Sequence, residues 1–120
     1  MDAKTHDLIL AATSHVPHLL AFSTVLALMD MEAESGTEIM TFSGGGLRDF
    51  TRIAAADPVV WCDTFLSNCE AVFEVLDRYQ LSLDRLRMMM TEERISELTE
   101  TLSAIRNRRL QLDAGSRREA

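Results

Sequence analysis

Cysteine and proline each occur only twice in this 120-residue chain, glycine five times, and tryptophan and tyrosine once each. Two cysteines cannot build a disulfide scaffold. Cys62 and Cys69, seven apart on a predicted helix, lie about 10.5 Å apart along its axis, beyond bridging distance. Neither belongs to a CxxC pair, so a structural metal site is not expected; reduced thiols filling a core fit a cytoplasmic protein. Positive charge is also scarce: 12 Lys and Arg against 19 Asp and Glu leave a net charge of −7. That balance argues against nucleic acid as a partner, because a phosphate backbone selects a basic surface. With so little proline and seven methionines, the composition leans towards helix.

What is present is apolar residues, 47% of the chain, with 26% charged. One folded domain is expected from such a length and balance. Residues 8–29, "LILAATSHVPHLLAFSTVLALM", are long enough to span a membrane. His15, Pro17 and His18 sit at the centre, however, and the flanks are acidic (Asp2, Asp7 and Asp30). A buried helix of a soluble protein fits better, with no membrane partner.

The chain reads as all-α. A first helix over about 5–33 is predicted to kink at Pro17. A connection at Gly36 follows, then a short helical piece in "EIMTF", and a helix from Gly46 to about Ala56. Asp57-Pro58 is a helix start, Asp as N-cap and Pro in the first position. Beyond it Cys62, Phe65, Cys69, Val72, Leu76, Tyr79, Leu83, Leu86 and Met90 alternate spacings of three and four. That spacing predicts one long helix packed lengthwise on others. Thr91 is expected to cap a last helix with the stripe Ile95, Leu98, Leu102, Ile105 and Leu112. The domain is drawn as 1–113, with a frayed tail at 114–120. A first helix that is apolar nearly all round needs cover on every side, and a homodimer of intertwined long helices is expected to supply it.

Candidate chemistry centres on "SGGGLRDFTRIAAADP", residues 43–58. Gly44, Gly45 and Gly46 have neither dinucleotide nor Walker spacing, and no strand is predicted before them. They would let a backbone approach a ligand, or simply connect two helices. Arg48 and Arg52, four apart on one predicted helix face, suit a carboxylate through the guanidinium fork, or form a solvated surface. Asp49 lies between them, placed to pair with or orient an arginine. His15 and His18 flank Pro17 without a third metal ligand; a neutral histidine bonding a ligand hydroxyl or satisfied in a core is favoured over a metal site. Trp61 walls a pocket or packs.

Together, "HDLILAATSHVPHLLAFS" and "SGGGLRDFTRIAAADPVVWCDTFLSN" closely resemble the C-terminal domain of the prephenate and arogenate dehydrogenases of tyrosine biosynthesis. The resemblance covers essentially the whole chain, with its motifs between residues 6 and 68. It implies a helical, dimer-forming domain that supplies one wall of the substrate site. By position, Arg52 would hold the ring carboxylate of prephenate and His18 would sit near the ring hydroxyl. Gly45 would lie against the ligand, Asp49 would support the pocket, and Trp61 would belong to its surroundings. His6, Asp7, His15 and Arg48 match family positions without separate roles. Leu47, Ala56 and Cys62 stand where the family usually has Phe, Ser and Arg.

The family's NAD(P) site and its catalytic histidine lie in a preceding α/β domain, whose glycine fingerprint is not found here. The resemblance therefore implies that this chain alone neither binds NAD or NADP in the family's manner nor transfers hydride. Three readings stay open. One is a substrate-binding and dimerisation half that takes prephenate, arogenate or a tyrosine-like ligand and works with a nucleotide-binding partner. The second is a cofactor-free enzyme that aromatises prephenate by loss of carbon dioxide and the ring hydroxyl, with His18 as general acid. The third is a non-catalytic regulatory or structural dimer.

Overall fold

The computed structural model describes residues 1–119, with side-chain environments through residue 115. The described residues contain helices and no strand, so the all-α expectation holds. Six α-helices run in order: α1 Ala3–Leu10, α2 Val16–Ser35, α3 Gly45–Thr51, α4 Pro58–Ser67, α5 Cys69–Thr91 and α6 Ile95–Glu119. A π-helical turn, Ala11–His15, joins α1 to α2, and 3-10 turns occupy Ile39–Phe42 and Arg52–Ala55. The last helix runs through most of the segment expected to fray; residue 120 lies outside the described residues. The chain divides into two compact units, Met1–Asp77 and Arg78–Ala120.

The first helix opens with the Asp2 carboxylate accepting the Thr5 backbone N–H at 2.7 Å, which satisfies one of the orphan donors of a helix start. The irregularity expected at Pro17 takes the form of the π turn just ahead of it. Val16 N–H reaches back five residues to the Ala11 carbonyl. A proline at 17 offers no N–H and crowds the carbonyl four residues back; the wider turn absorbs that crowding. Gly36 ends α2 in the left-handed conformation at φ 71°, its N–H on the Glu32 carbonyl. A residue with a Cβ would be strained there. The Glu32 carboxylate accepts from Met40 N–H at 3.1 Å, tying the connection back to α2. Asp57 caps α4 as read from the sequence, accepting from Val59 and Val60 N–H at 2.9 and 3.3 Å.

Four expectations need correction. The seam from Cys62 to Met90 is not one helix: α4 ends at Ser67, and Asn68 breaks the run at φ −125° and ψ 31°. Its side chain leaves the helix surface to bond elsewhere, a habit that makes Asn a poor helix-interior residue. Secondly, Thr91 ends α5 rather than capping α6, and its hydroxyl donates back to the Arg87 carbonyl at 2.9 Å. Glu93 takes a left-handed conformation at φ 51°. Around it Glu93 N–H bonds the Met90 carbonyl and Arg94 N–H bonds that of Met89. This is the Schellman closure, here built without glycine. Thirdly, Cys62 is exposed and only Cys69 is half-buried, because Cys62 lies on a side of α4 that no other described residue covers. Lastly, Arg48 and Arg52 do not share one regular helix, since α3 gives way to a 3-10 turn at Arg52.

The buried core of residues 1–77 joins Ala11, Val16, Val72 and Val75, with Leu8, Leu19, Leu20, Ala71 and Leu76 packed on it. Here α5 lies against the π turn and the start of α2. Helix α2 also packs on α3 and on both 3-10 turns. Along the seam, cover then fades: Val72 is buried and Leu76 half-buried, but Leu83 is 68% exposed. Among residues 78–115 only Met89 is fully buried, touched by the Thr101 hydroxyl at 3.8 Å from its sulfur. Ile95 of the last stripe is 76% exposed. The helical run Ala3–Ser35 is long and apolar enough to cross a membrane by length and composition, and only 17% of its most apolar window is buried within the chain.

Candidate functional site

The histidines and Trp61 come together where the chain is least regular. Val16 is fully buried, which seats the start of α2 on the core and leaves His15 and His18 half-buried beside it. Residues three apart on a helix share a face, and both rings meet Trp61 of α4. His18 stacks on the indole at 3.6 Å between ring centroids and 15° between planes; His15 meets it edge-on at 6.2 Å and 80°. The ladder continues from Trp61 to Phe65 at 5.5 Å and from Phe65 to Phe22 at 6.1 Å.

Hydrogen bonds assign the two imidazoles different faces. His18 Nδ1 lies 2.8 Å from the Ser14 carbonyl oxygen. A carbonyl only accepts, so Nδ1 carries the proton, and a neutral His18 presents a lone pair at Nε2. Asn68 Nδ2 donates to the Asp7 carbonyl at 3.0 Å, which fixes the orientation of its amide. The same Nδ2 lies 3.2 Å from His15 Nδ1. That nitrogen must accept, so His15 carries its proton on Nε2. Among the described residues neither Nε2 has a protein partner.

The arginine segment is built differently. Gly44 is extended and precedes α3, with Gly45 and Gly46 in its first turn. A Cβ placed on any of the three would meet nothing within 4 Å, so the glycines face open space. Arg48, Asp49 and Arg52 are all exposed. No ion pair joins Asp49 to either arginine among the described residues, leaving both guanidinium groups available to an external anion. Next to Arg52, an open apolar recess is lined by Phe22, Val25, Leu26 and Met29 of α2 with Thr51, Ala54 and Ala55. The structure thus brings His18, His15 and Trp61 into contact and sets Arg52 on a turn that packs against the helix carrying His18. It shows no contact of Gly45 or Asp49 with that cluster.

Residues 2–104 match the family model described as prephenate dehydrogenase, dimerization domain. The chain belongs to this family. It is 38% identical over 112 residues to the cyclohexadienyl dehydrogenase of Zymomonas mobilis, covering 93% of this chain and 38% of that protein. With the prephenate dehydrogenase of Lactococcus lactis it shares 37% over 92 residues, 77% of this chain and 26% of that one. Among solved structures it superposes at a TM-score of 0.87 and 35% identity on the Aquifex aeolicus prephenate dehydrogenase, determined in complex with hydroxyphenyl propionate and NAD+. That match covers 93% of this chain and 39% of the other. The chain therefore spans about a quarter to two-fifths of the length of these dehydrogenases. The Synechocystis arogenate dehydrogenase, at 22% identity and a TM-score of 0.82, shares the fold.

Sequence reasoning did not single out Asn68. The available signal was its type: an amide inside an apolar helical run, next to the segment that carries Trp61.

Proposed function

We propose that this chain is the substrate-binding and dimerisation part of a prephenate or arogenate dehydrogenase of tyrosine biosynthesis, acting in the cytoplasm on a cyclohexadienyl carboxylate. The family match carries the reading, supported by the named activities of relatives that resemble this chain over most of its length. Arg52 anchors the ring carboxylate through its unpaired guanidinium fork. His18 lies towards the ring hydroxyl, Gly45 lets the ligand approach the backbone, Asp49 supports the pocket and Trp61 walls it by stacking on His18. A second copy of the chain covers the exposed apolar sides of the helices, since most of the first helical run stays uncovered within one chain.

NAD or NADP would supply the oxidant in such an enzyme. The described residues do not fit a dinucleotide cradle, which needs a glycine turn between a strand and a helix: the glycines here follow a 3-10 turn. The nucleotide therefore belongs to other residues than these, in a further domain or a separate nucleotide-binding partner. With Nδ1–H donated to the Ser14 carbonyl, the outward Nε2 of His18 accepts a hydroxyl hydrogen from a neutral ring and donates from a charged one, so conversion of the ligand decides between binding and the cofactor-free alternative.

A proton NMR time course with prephenate and no nucleotide separates the readings. Ligand line-broadening without accelerated conversion is expected. Faster formation of phenylpyruvate than in a protein-free control would establish the cofactor-free enzyme instead. Neither effect would leave a regulatory or structural dimer.

A further inference from the structure

Charge is divided unevenly along the chain. Residues 1–77 hold 12 Asp and Glu against three Lys and Arg, whereas residues 105–120 hold five Arg against two acids. Two helix faces concentrate that difference. Near the end of α2, Leu26, Met29, Asp30 and Glu34 share one face by their spacing, and all are exposed. A helix C-terminus carries partial negative charge, yet the last turn of α2 holds no basic residue. Among the described residues neither Asp30 nor Glu34 joins an ion pair.

In α6, Ile105, Arg108, Arg109 and Leu112 share a face flanked by Arg106, all exposed. The family match ends just before them, at residue 104. Arg109 pairs with Asp113 at 2.6 Å, while Arg106 and Arg108 have no acidic partner among the described residues. They stand well inside the helix, where the dipole of its end does not account for them. Every apolar member of the two faces is more than half exposed.

We propose that the basic face of α6 in one copy of the chain seats on the acidic end of α2 in a second copy. Each face offers two apolar side chains and two like charges over about 10 Å of helix, and the charges are opposite in sign. Leu26 and Met29 also line the open apolar recess between α2 and the Arg52–Ala55 turn, a concave seat for Ile105 or Leu112. Opposite charges set register and steer encounter, while the apolar centre supplies area. A second copy carries both complements, so one two-fold pair makes the contact twice. The proposal rests on the two-copy reading above and names the surfaces that meet.

Sedimentation of the full chain with two sets of charge reversals tests it. Arg106→Glu with Arg108→Glu, and separately Asp30→Lys with Glu34→Lys, should each weaken self-association at least about tenfold. All four positions are exposed and lysine suits a helix C-terminus, so both variants should keep the parent's circular dichroism. A one-to-one mixture of the variants should associate as tightly as the parent, because the mixed pair restores opposite charges at both contacts. Rising salt should weaken the parent's association by screening, a readout that needs no variant to fold. A parent dimer left unchanged by either reversal, or indifferent to salt, overturns the docking and spares the two-copy reading. So does a mixture no tighter than its components. A parent that is monomeric at every concentration removes both.

Discussion

Residues 1–77 and 78–115 have similar raw material, helices with apolar stripes, and use it differently. The first region interrupts its helices with a π turn, two 3-10 turns and the break at Asn68, and it buries Ala11, Val16, Ala21, Val72 and Val75. The second consists of long regular helices and buries only Met89. Irregular backbone costs hydrogen bonds and persists where packing and side-chain bonds replace them. The candidate chemistry of this chain sits there, at His15, His18, Trp61 and Arg52. Regular helices with an uncovered apolar stripe offer area instead, which is what assembly uses.

Paired substitutions along α5 sharpen that contrast. Val72→Ala removes two buried methyl groups and should destabilise the chain by about 2 kcal/mol in denaturant titration. Leu83→Ala, on the same seam but 68% exposed, should cost less than about 0.5 kcal/mol in a dilute monomer. If Leu83→Ala costs as much as Val72→Ala, and the cost depends on protein concentration, a second copy covers that stretch. At the α5–α6 junction Glu93 holds a left-handed conformation, which costs a residue bearing a Cβ about 1 kcal/mol. Glu93→Gly should therefore raise stability by up to about 1 kcal/mol. A loss on that substitution would mean that the Glu93 side chain contributes more to the junction than its backbone strain costs.

The smallest effect concerns pH at the N-terminus. The Thr5 backbone N–H, with a further contribution from its side chain, holds the Asp2 carboxyl below the usual carboxylate range. A folded-state pKa below the unfolded one gives stability that is present above the unfolded value and lost as pH falls through the folded value. Asp2→Asn should flatten this acid-side slope in thermal melts while leaving stability near neutrality almost unchanged.

Much of the fold was legible because its signals are local. Asp57-Pro58 opens a helix wherever it stands, and Gly36 marks a connection, which the structure builds as a left-handed cap. The break at Asn68 was hidden because position 68 lies off the seam. Phe65, Cys69 and Val72 keep their spacing across it, and the partner that draws the amide away is 53 residues distant in sequence. The cap at Glu93 escaped because a Schellman closure is expected at glycine. Cys62 was misplaced because the seam shows which side chains share a stripe and not whether this chain or a second copy covers it. The candidate site was readable mainly through its resemblance to a family. Its residues, taken singly, had ordinary packing explanations, and only the tertiary contacts show His18 and Trp61 stacked.

Calorimetric titration of prephenate into the chain, with and without Arg52→Ala, tests the central claim most directly. Prephenate keeps the ring carboxylate that Arg52 is assigned to hold. The parent should bind, and Arg52→Ala should weaken binding about ten- to a hundredfold, the worth of a charge-assisted bond at a partly open site. Equal affinity for the parent and a folded Arg52→Ala would contradict the account, and the carboxylate anchor would have to be sought elsewhere.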